Sequence, residues 1–253
     1  NKTVMYLDPN IKLRNQKYYS IGSVSPSPDN NLIAFTEDNN GRRQYDIKFL
    51  DPITLDISNP KIDDASGNII WSKNNKHIVY LKKDPETLIS NSVYVHTIGT
   101  SSSKDKLIYQ EIDPEYNIDI SRSKSKKFVY INVEATNDNE IYLVDLDDPI
   151  AKPMLFIKRS TNHLYYLEHV DGEIFYVRTN INAHNFKVLK VNSLSQIDLK
   201  NADVIVEHNE NIFISDFLSL EDTLILEIRE NGLPEIEIID ISNQQRNRLE
   251  YIN

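Results

Sequence analysis

The chain contains no Cys, six Gly, two Met and one Trp in 253 residues. Without Cys there are no disulfides, no thiolate metal sites and no Cys nucleophile, and a reducing, cytoplasmic setting is the expectation. Six Gly and ten Pro exclude collagen-like and Gly-rich repeats. No apolar stretch approaches the roughly 18 to 20 residues of a membrane-spanning helix, so no membrane partner is expected. Asn1-Lys2-Thr3-Val4-Met5 also lacks the basic segment and apolar run of a secretory signal. Positive charge is in the minority: 28 Lys and Arg against 38 Asp and Glu give a net charge of −10, a surface that repels a phosphate backbone. Nucleic acid is therefore not an expected partner, and the densest basic cluster, Lys124-Ser125-Lys126-Lys127, reads as a solvated turn. Amphipathic helical periodicity over 12 or more residues is missing too.

What is present is enough apolar side chain, 40% of residues, to fill a sizeable core, and a repeat. The triplets Ile33-Ala34-Phe35, Ile78-Val79-Tyr80, Phe128-Val129-Tyr130, Ile174-Phe175-Tyr176 and Leu224-Ile225-Leu226 recur at intervals of 45, 50, 46 and 50 residues. Each follows a polar turn rich in Asn, Asp, Gly, Ser or Lys, and a second, alternating run follows each triplet, as in Asp46-Ile47-Lys48-Phe49 and Ser92-Val93-Tyr94-Val95. Alternation of period two denotes a strand with one solvated face. Three or four antiparallel strands every ~45 to 50 residues are the sequence form of a β-propeller blade. The expected fold is thus all-β, a partial β-propeller with units near 18–60, 63–112, 115–158, 162–207 and 211–252. Residues 4–8 read as the outer strand of a preceding blade. The chain reads as a piece of something longer, and blade faces left uncovered at its ends would invite self-association.

Catalytic and metal signatures are sparse. No Gly-x-Ser-x-Gly occurs, and Ser66-Gly67 lacks the strand-to-helix setting that exposes a nucleophile. The six His (77, 96, 163, 169, 184 and 208) are read as showing no His-x-Glu or His-Glu-x-x-His metal spacing and are assigned structural or surface roles. Asp145, Asp147 and Asp148 lack the Gly and terminal Glu of a calcium loop. Glu235 and Glu237 share a strand face, where a solvated surface explains them better than a glycosidase pair. No catalytic residue, metal ligand or cofactor is expected in this chain.

Several short motifs, in order, resemble the propeller of oligopeptidase B, a branch of the prolyl oligopeptidase family of serine peptidases. They are Tyr18-Tyr19-Ser20, Ser27-Pro28-Asp29-Asn30, Ala34-Phe35-Thr36-Glu37-Asp38 and Gly41-Arg42-Arg43-Gln44-Tyr45. Lys83-Asp84-Pro85 with Thr87-Leu88, Ile98-Gly99-Thr100 and Asp105-Lys106-Leu107-Ile108-Tyr109 follow, then Phe175-Tyr176 with Arg178, and Asn185-Phe186. The resemblance runs from about residue 4 to the end. It implies five whole blades and one outer strand of a seven-bladed propeller, followed by an α/β-hydrolase domain that carries the Ser, Asp and His triad and is not in this chain.

Arg42-Arg43 is the motif with a functional claim. If the two lie on a strand, the pleat sends them to opposite sides, so one faces a cavity or an interface. The resemblance implies that Arg43 faces the peptidase domain across an interdomain cleft, where a guanidinium can hold a carboxylate of that domain or of a peptide; an Arg–Asp pair within the blade is the alternative. The family commonly has an acidic residue just before the aromatic-Tyr-Ser motif. Here it is Lys17, which reverses the charge of that interdomain contact. The expected function is a non-catalytic gate and size filter of a serine oligopeptidase that cleaves short peptides after basic residues. Its partners are then the C-terminal peptidase domain and short basic peptides. A stand-alone propeller that binds a protein or peptide without catalysis is the alternative.

Overall fold

The computed structural model describes residues 5–14, 16–220 and 222–249, with the backbone alone at 59 and 60. It opens on a one-turn helix, α1 (Pro9–Leu13), just after the stretch 4–8 read as the outer strand of a preceding blade. Residue 4 lies outside the described residues, and 5–8 form no strand. Asp8 accepts from Asn10 N at 2.9 Å and Pro9 begins the helix, an N-cap followed by Pro.

All other long elements are antiparallel strands in four sheets. The first holds seven: β1 (Ser20–Pro26), β2 (Ile33–Asp38), β3 (Tyr45–Leu50), β4 (Ile57–Trp71), β5 (His77–Lys83), β6 (Ser90–Thr97) and β7 (Lys106–Gln110). The second holds β8 (Asn117–Arg122), β9 (Phe128–Glu134), β10 (Asn139–Asp145) and β11 (Met154–Leu155). The third holds β12 (Tyr165–Asp171), β13 (Ile174–Thr179), β14 (Lys187–Val191) and β15 (Asp203–Val206). The fourth holds β16 (Ile212–Leu220), β17 (Thr223–Glu230), β18 (Leu233–Asp240) and β19 (Arg246–Arg248).

The seven-stranded sheet is two blades joined by a shared strand. The sequence suggests a break near 60–63, yet β4 continues through it. Its first half pairs with β3 (Ile47↔Ile62, Leu50↔Ile57) and its second with β5 (Ile69↔Tyr80, Trp71↔Ile78), while Ala65 pairs with both. Asp64, in the left-handed region at φ 62, makes a bend inside the strand. Register shifts on either side supply the twist.

The chain divides into two compact units: Asn1–Arg122 with Phe128–Val133 and Tyr142–Met154, and Ser123–Lys127 with Glu134–Ile141 and Leu155–Asn253. In the first, β4 and β5 lie between two apolar clusters. Ile69, Trp71, Ile78 and Tyr80 face one, while Ile70, Val79 and Leu81 face the other. In the second, Tyr176, Val188, Ile214, Leu226 and Ile228 form the core. Burial on both faces explains why the second strand of a blade reads as an unbroken apolar triplet rather than an alternation. Each such buried side chain contributes about 1.5 to 3 kcal/mol.

The hairpins entering β2, β5 and β9 use one device. Ser27, Ser72 and Ser123 each place their hydroxyl 2.6 to 3.0 Å from a side-chain oxygen two residues on (Asp29, Asn74, Ser125). The next residue, Asn30, Asn75 or Lys126, is left-handed at φ 59 to 61. Side-chain oxygens thus replace backbone partners around a reversed turn.

Candidate functional site

The resemblance motifs at 18–20, 34–38 and 41–45 converge at one end of the first blade, where the loop between β2 and β3 carries Arg42 and Arg43. Asp38, 1% exposed, anchors that loop. Its Oδ1 accepts the N–H groups of Asn40 and Gly41, each at 2.9 Å, and its Oδ2 accepts that of Arg43 at 2.8 Å. Gly41 (φ 76) and Arg43 (φ 54) are both left-handed, which turns successive amides toward one carboxylate. From outside the loop, Lys83 Nζ donates to the Arg43 carbonyl at 2.7 Å.

These contacts correct the expectation for the two arginines. They sit on a loop rather than a strand, so the pleat does not send them to opposite sides, and both are exposed. The Arg–Asp contact within the blade exists, but it is made by the Arg43 amide. Among the described residues no side chain pairs with the Arg43 guanidinium. A left-handed Arg whose backbone is held at both N–H and C=O presents that guanidinium from a fixed base.

Lys17 lies on the neighbouring segment and is also exposed. Gln16 Nε2 donates to Asn39 Oδ1 at 3.3 Å, and the Tyr18 ring covers Gly41, standing 3.6 Å from where a Cβ would be. Tyr19 turns inward, and its hydroxyl donates to Glu37 Oε2 at 2.9 Å. Lys48 Nζ meets the other Glu37 oxygen at 2.5 Å. Burial pushes the Glu37 carboxyl up, but Lys48, Tyr19 and Asn39 outweigh it and hold the group below its usual range. Gly22 has no room for a side chain, since a Cβ there would lie 2.5 Å from Thr36 Oγ1 and 2.6 Å from the Tyr45 ring. The structure therefore brings the segments of Lys17 and Arg43 side by side over a polar, hydrogen-bonded foundation.

Other candidates resolve into structural clasps. Buried Arg178 donates to the carbonyls of Ile214 and Ser215, and its guanidinium lies 4.2 Å from the Tyr166 ring centre and 4.6 Å from that of Phe186. Arg248 bridges Glu230 and Glu235, and Arg246 lies 3.5 Å from Glu237, so the paired carboxylates of β18 are ion-paired. Asp147 pairs with Lys73 at 3.1 Å. His96 is clasped by Asp105 at 2.6 Å and His163 by Thr179 at 2.9 Å.

Two groupings were not read from the sequence. Ser125 Oγ lies 2.6 Å from His169 Nδ1, whose Nε2 meets the Gly172 carbonyl at 3.1 Å. That is a Ser–His contact, but Ser125 Oγ also accepts from Lys127 N and lies 3.0 Å from Ser123 Oγ. It fills the turn position held by Asp29 and Asn74, so the contact is a turn clasp. The second grouping is His184, His208 and Glu210, whose potential ligand atoms all lie within 4.8 Å of one another. His208-Asn209-Glu210 is a His-x-Glu spacing, which corrects the reading that the six His show none, and it signals part of this grouping. His184 comes from a different loop and gives no local signal.

Comparison with known proteins agrees with this geometry. Residues 1–251 match the family described as prolyl oligopeptidase, N-terminal beta-propeller domain. Dipeptidyl aminopeptidase BI of Pseudoxanthomonas mexicana is 34% identical over 92% of this chain and 32% of its own length. Protease 2 of Moraxella lacunata is 27% identical over 92% of this chain and 33% of its own. Oligopeptidase B of Leishmania major has a similar fold, with a TM-score of 0.89 at 22% identity over 98% of this chain and 36% of that one. The corresponding enzyme of Trypanosoma brucei, closed with covalently bound antipain, gives 0.88 at 22% identity, covering 99% and 36%. The chain thus spans about a third of the length of these relatives. With an all-β architecture of four-stranded repeats and a family match across residues 1–251, it belongs to the prolyl oligopeptidase family, as its N-terminal β-propeller domain.

Proposed function

We propose that this propeller is the non-catalytic gate of a serine oligopeptidase that cleaves short peptides after basic residues, with the peptidase domain as its partner. The observation that carries the reading is the Arg43 loop. A buried carboxylate and a Lys fix its backbone, while the guanidinium, with no partner among the described residues, is free to bind a carboxylate. Its partner is a carboxylate of the facing domain or of a bound peptide, held bidentately. Lys17 on the adjoining segment adds a second cation to the same anionic contact.

The test compares two proteins. The 253-residue chain alone should not hydrolyse a basic fluorogenic peptide. In the full-length protein, Arg43→Ala should lower kcat/KM for that peptide about tenfold or more, as expected for loss of a charge-assisted contact. The melting temperature of the isolated chain should barely change, because an exposed pairless cation contributes little to stability. An N-blocked peptide and a free dipeptidyl substrate, assayed together, separate the endopeptidase reading from an exopeptidase like that named among the relatives. Serine-phosphonate-sensitive hydrolysis by the isolated chain, or an unchanged kcat/KM in the variant, would overturn the proposal.

A further inference from the structure

We propose that His184, His208 and Glu210 form a three-ligand site for a borderline divalent cation of the Zn²⁺ class, outside the Arg43 region. Two loops supply the ligands: His184 lies between β13 and β14, and His208 and Glu210 lie between β15 and β16. A tetrahedral Zn²⁺ with bonds near 2.0 to 2.2 Å requires donor atoms roughly 3.3 to 3.5 Å apart. His184 Nε2 lies 3.4 Å from Glu210 Oε2, and His208 Nδ1 lies 3.7 Å from Glu210 Oε1. The two imidazoles stand with ring centres 4.7 Å apart on either oxygen of one carboxylate, and one donor atom from each residue lies within 4.8 Å of the others, a spacing that must tighten by about 1 Å to hold a metal. Three protein ligands leave a fourth position for water.

The loops are held together independently of any ion. Asn185, next to His184, donates through Nδ2 to the carbonyls of Asn209 (3.0 Å) and Glu210 (2.8 Å), and Ile214 N donates to the Asn185 carbonyl at 3.0 Å. Asn209 Oδ1 in turn accepts from Asn211 N at 2.8 Å. The backbone carrying the three ligands is thus preorganised, and only side-chain rotation is needed to close the site. His184 is 64% and Glu210 75% exposed, while the His208 side chain is 19% exposed, so one anchored ligand is paired with two adjustable ones. Nε2 of His208 is buried without a hydrogen-bond partner, which leaves Nδ1, beside Glu210, as the nitrogen available to a cation. Two imidazoles with one carboxylate suit Zn²⁺, Co²⁺, Ni²⁺ or Cu²⁺ and not Mg²⁺ or Ca²⁺, which demand oxygen ligands.

The chelator-stripped 253-residue chain is titrated with Zn²⁺ in competition with a chromophoric chelator, and with Co²⁺ followed by visible absorption. Expected results are saturation at one equivalent, a Co²⁺ absorption band of low coordination number, and a melting midpoint that rises with Zn²⁺. His184→Ala, His208→Ala and Glu210→Gln should each weaken Zn²⁺ binding by at least about tenfold, since loss of an outer partner alone costs that much. Glu207→Gln, a neighbouring exposed carboxylate, should change nothing. His184 is exposed enough that its variant folds, so that arm decides the matter if another variant does not. Wild-type affinity in the His184 variant, or binding that rises past one equivalent without saturating, would overturn the proposal.

Discussion

Asp38→Ala probes the foundation of the Arg43 loop. The native carboxylate is 1% exposed and accepts three backbone N–H groups at 2.8 to 2.9 Å. A hydrogen bond to a charged acceptor contributes about 1.5 to 3 kcal/mol. Three such bonds are not simply additive here, because Asn40, Gly41, Arg42 and Arg43 are exposed and their amides regain water once the carboxylate is gone. A loss of roughly 2 to 4 kcal/mol is expected, a large share of the ~5 to 15 kcal/mol that stabilises a domain. Asp38→Asn should fall between, since its Oδ1 can keep Asn40 and Gly41 while its NH₂ opposes the Arg43 N–H. Urea unfolding measures the loss. Limited trypsin digestion reads the loop directly, because Arg42 and Arg43 are its cleavage points, and cleavage there should accelerate before global unfolding. An Asp38→Ala chain within about 0.5 kcal/mol of wild type, cleaved at the wild-type rate, would refute the anchoring argument.

Two further outcomes follow from crowding at Gly22 and desolvation at Glu168. Gly22→Ala should destabilise by about 1 to 3 kcal/mol, because its Cβ would meet Thr36 and the Tyr45 ring at 2.5 and 2.6 Å; a melting temperature equal to wild type would show that the register shift of β1 between Ile21 and Val24 relaxes freely. At Glu168, burial pushes the carboxyl up to about 7, opposed by Lys124 and reinforced by Asp216, and its Oε2 has no hydrogen-bond partner. The native state therefore keeps a proton that the unfolded chain releases near 4.5, so stability falls as pH rises from about 4.5 to 7 and stays lower above. Glu168→Gln should remove that slope and raise stability at alkaline pH by roughly 2 kcal/mol, the shift being discounted for partial solvent contact; an unchanged stability–pH curve would contradict it.

The strands were legible because two physical signals coincide at each blade. A second strand buried on both faces must be apolar throughout, as at Ile78-Val79-Tyr80, and the turn before it must tolerate a left-handed residue, as at Asn75. The continuity of β4 was not legible, since only tertiary pairing with β3 on one side and β5 on the other carries the strand through the expected break at 60–63. The alternation argument failed at Arg42-Arg43 for the converse reason: Asp38, two residues upstream of Asn40, gathers amides and ends the strand. Arg178 was legible as a motif but not as a role, which depends on Tyr166 and Phe186 reaching it from other strands. Of the His184 grouping, His208 and Glu210 share a local spacing, but His184 comes from a second loop beyond its reach.

The shared strand has a consequence for how the first two repeats come apart. In a modular array each repeat can open alone, because neighbours touch only through side chains. Here the seam between two repeats is itself a run of backbone pairing, with Ala65 bonded on both edges. Peeling away β1 to β3 strips one edge of β4 and exposes the inner strand of the next repeat, so the pair should exchange its amide hydrogens as one block. A chain cut at residues 62–65 would disable two repeats at once, whereas a cut in the exposed turn after β5 would test only one.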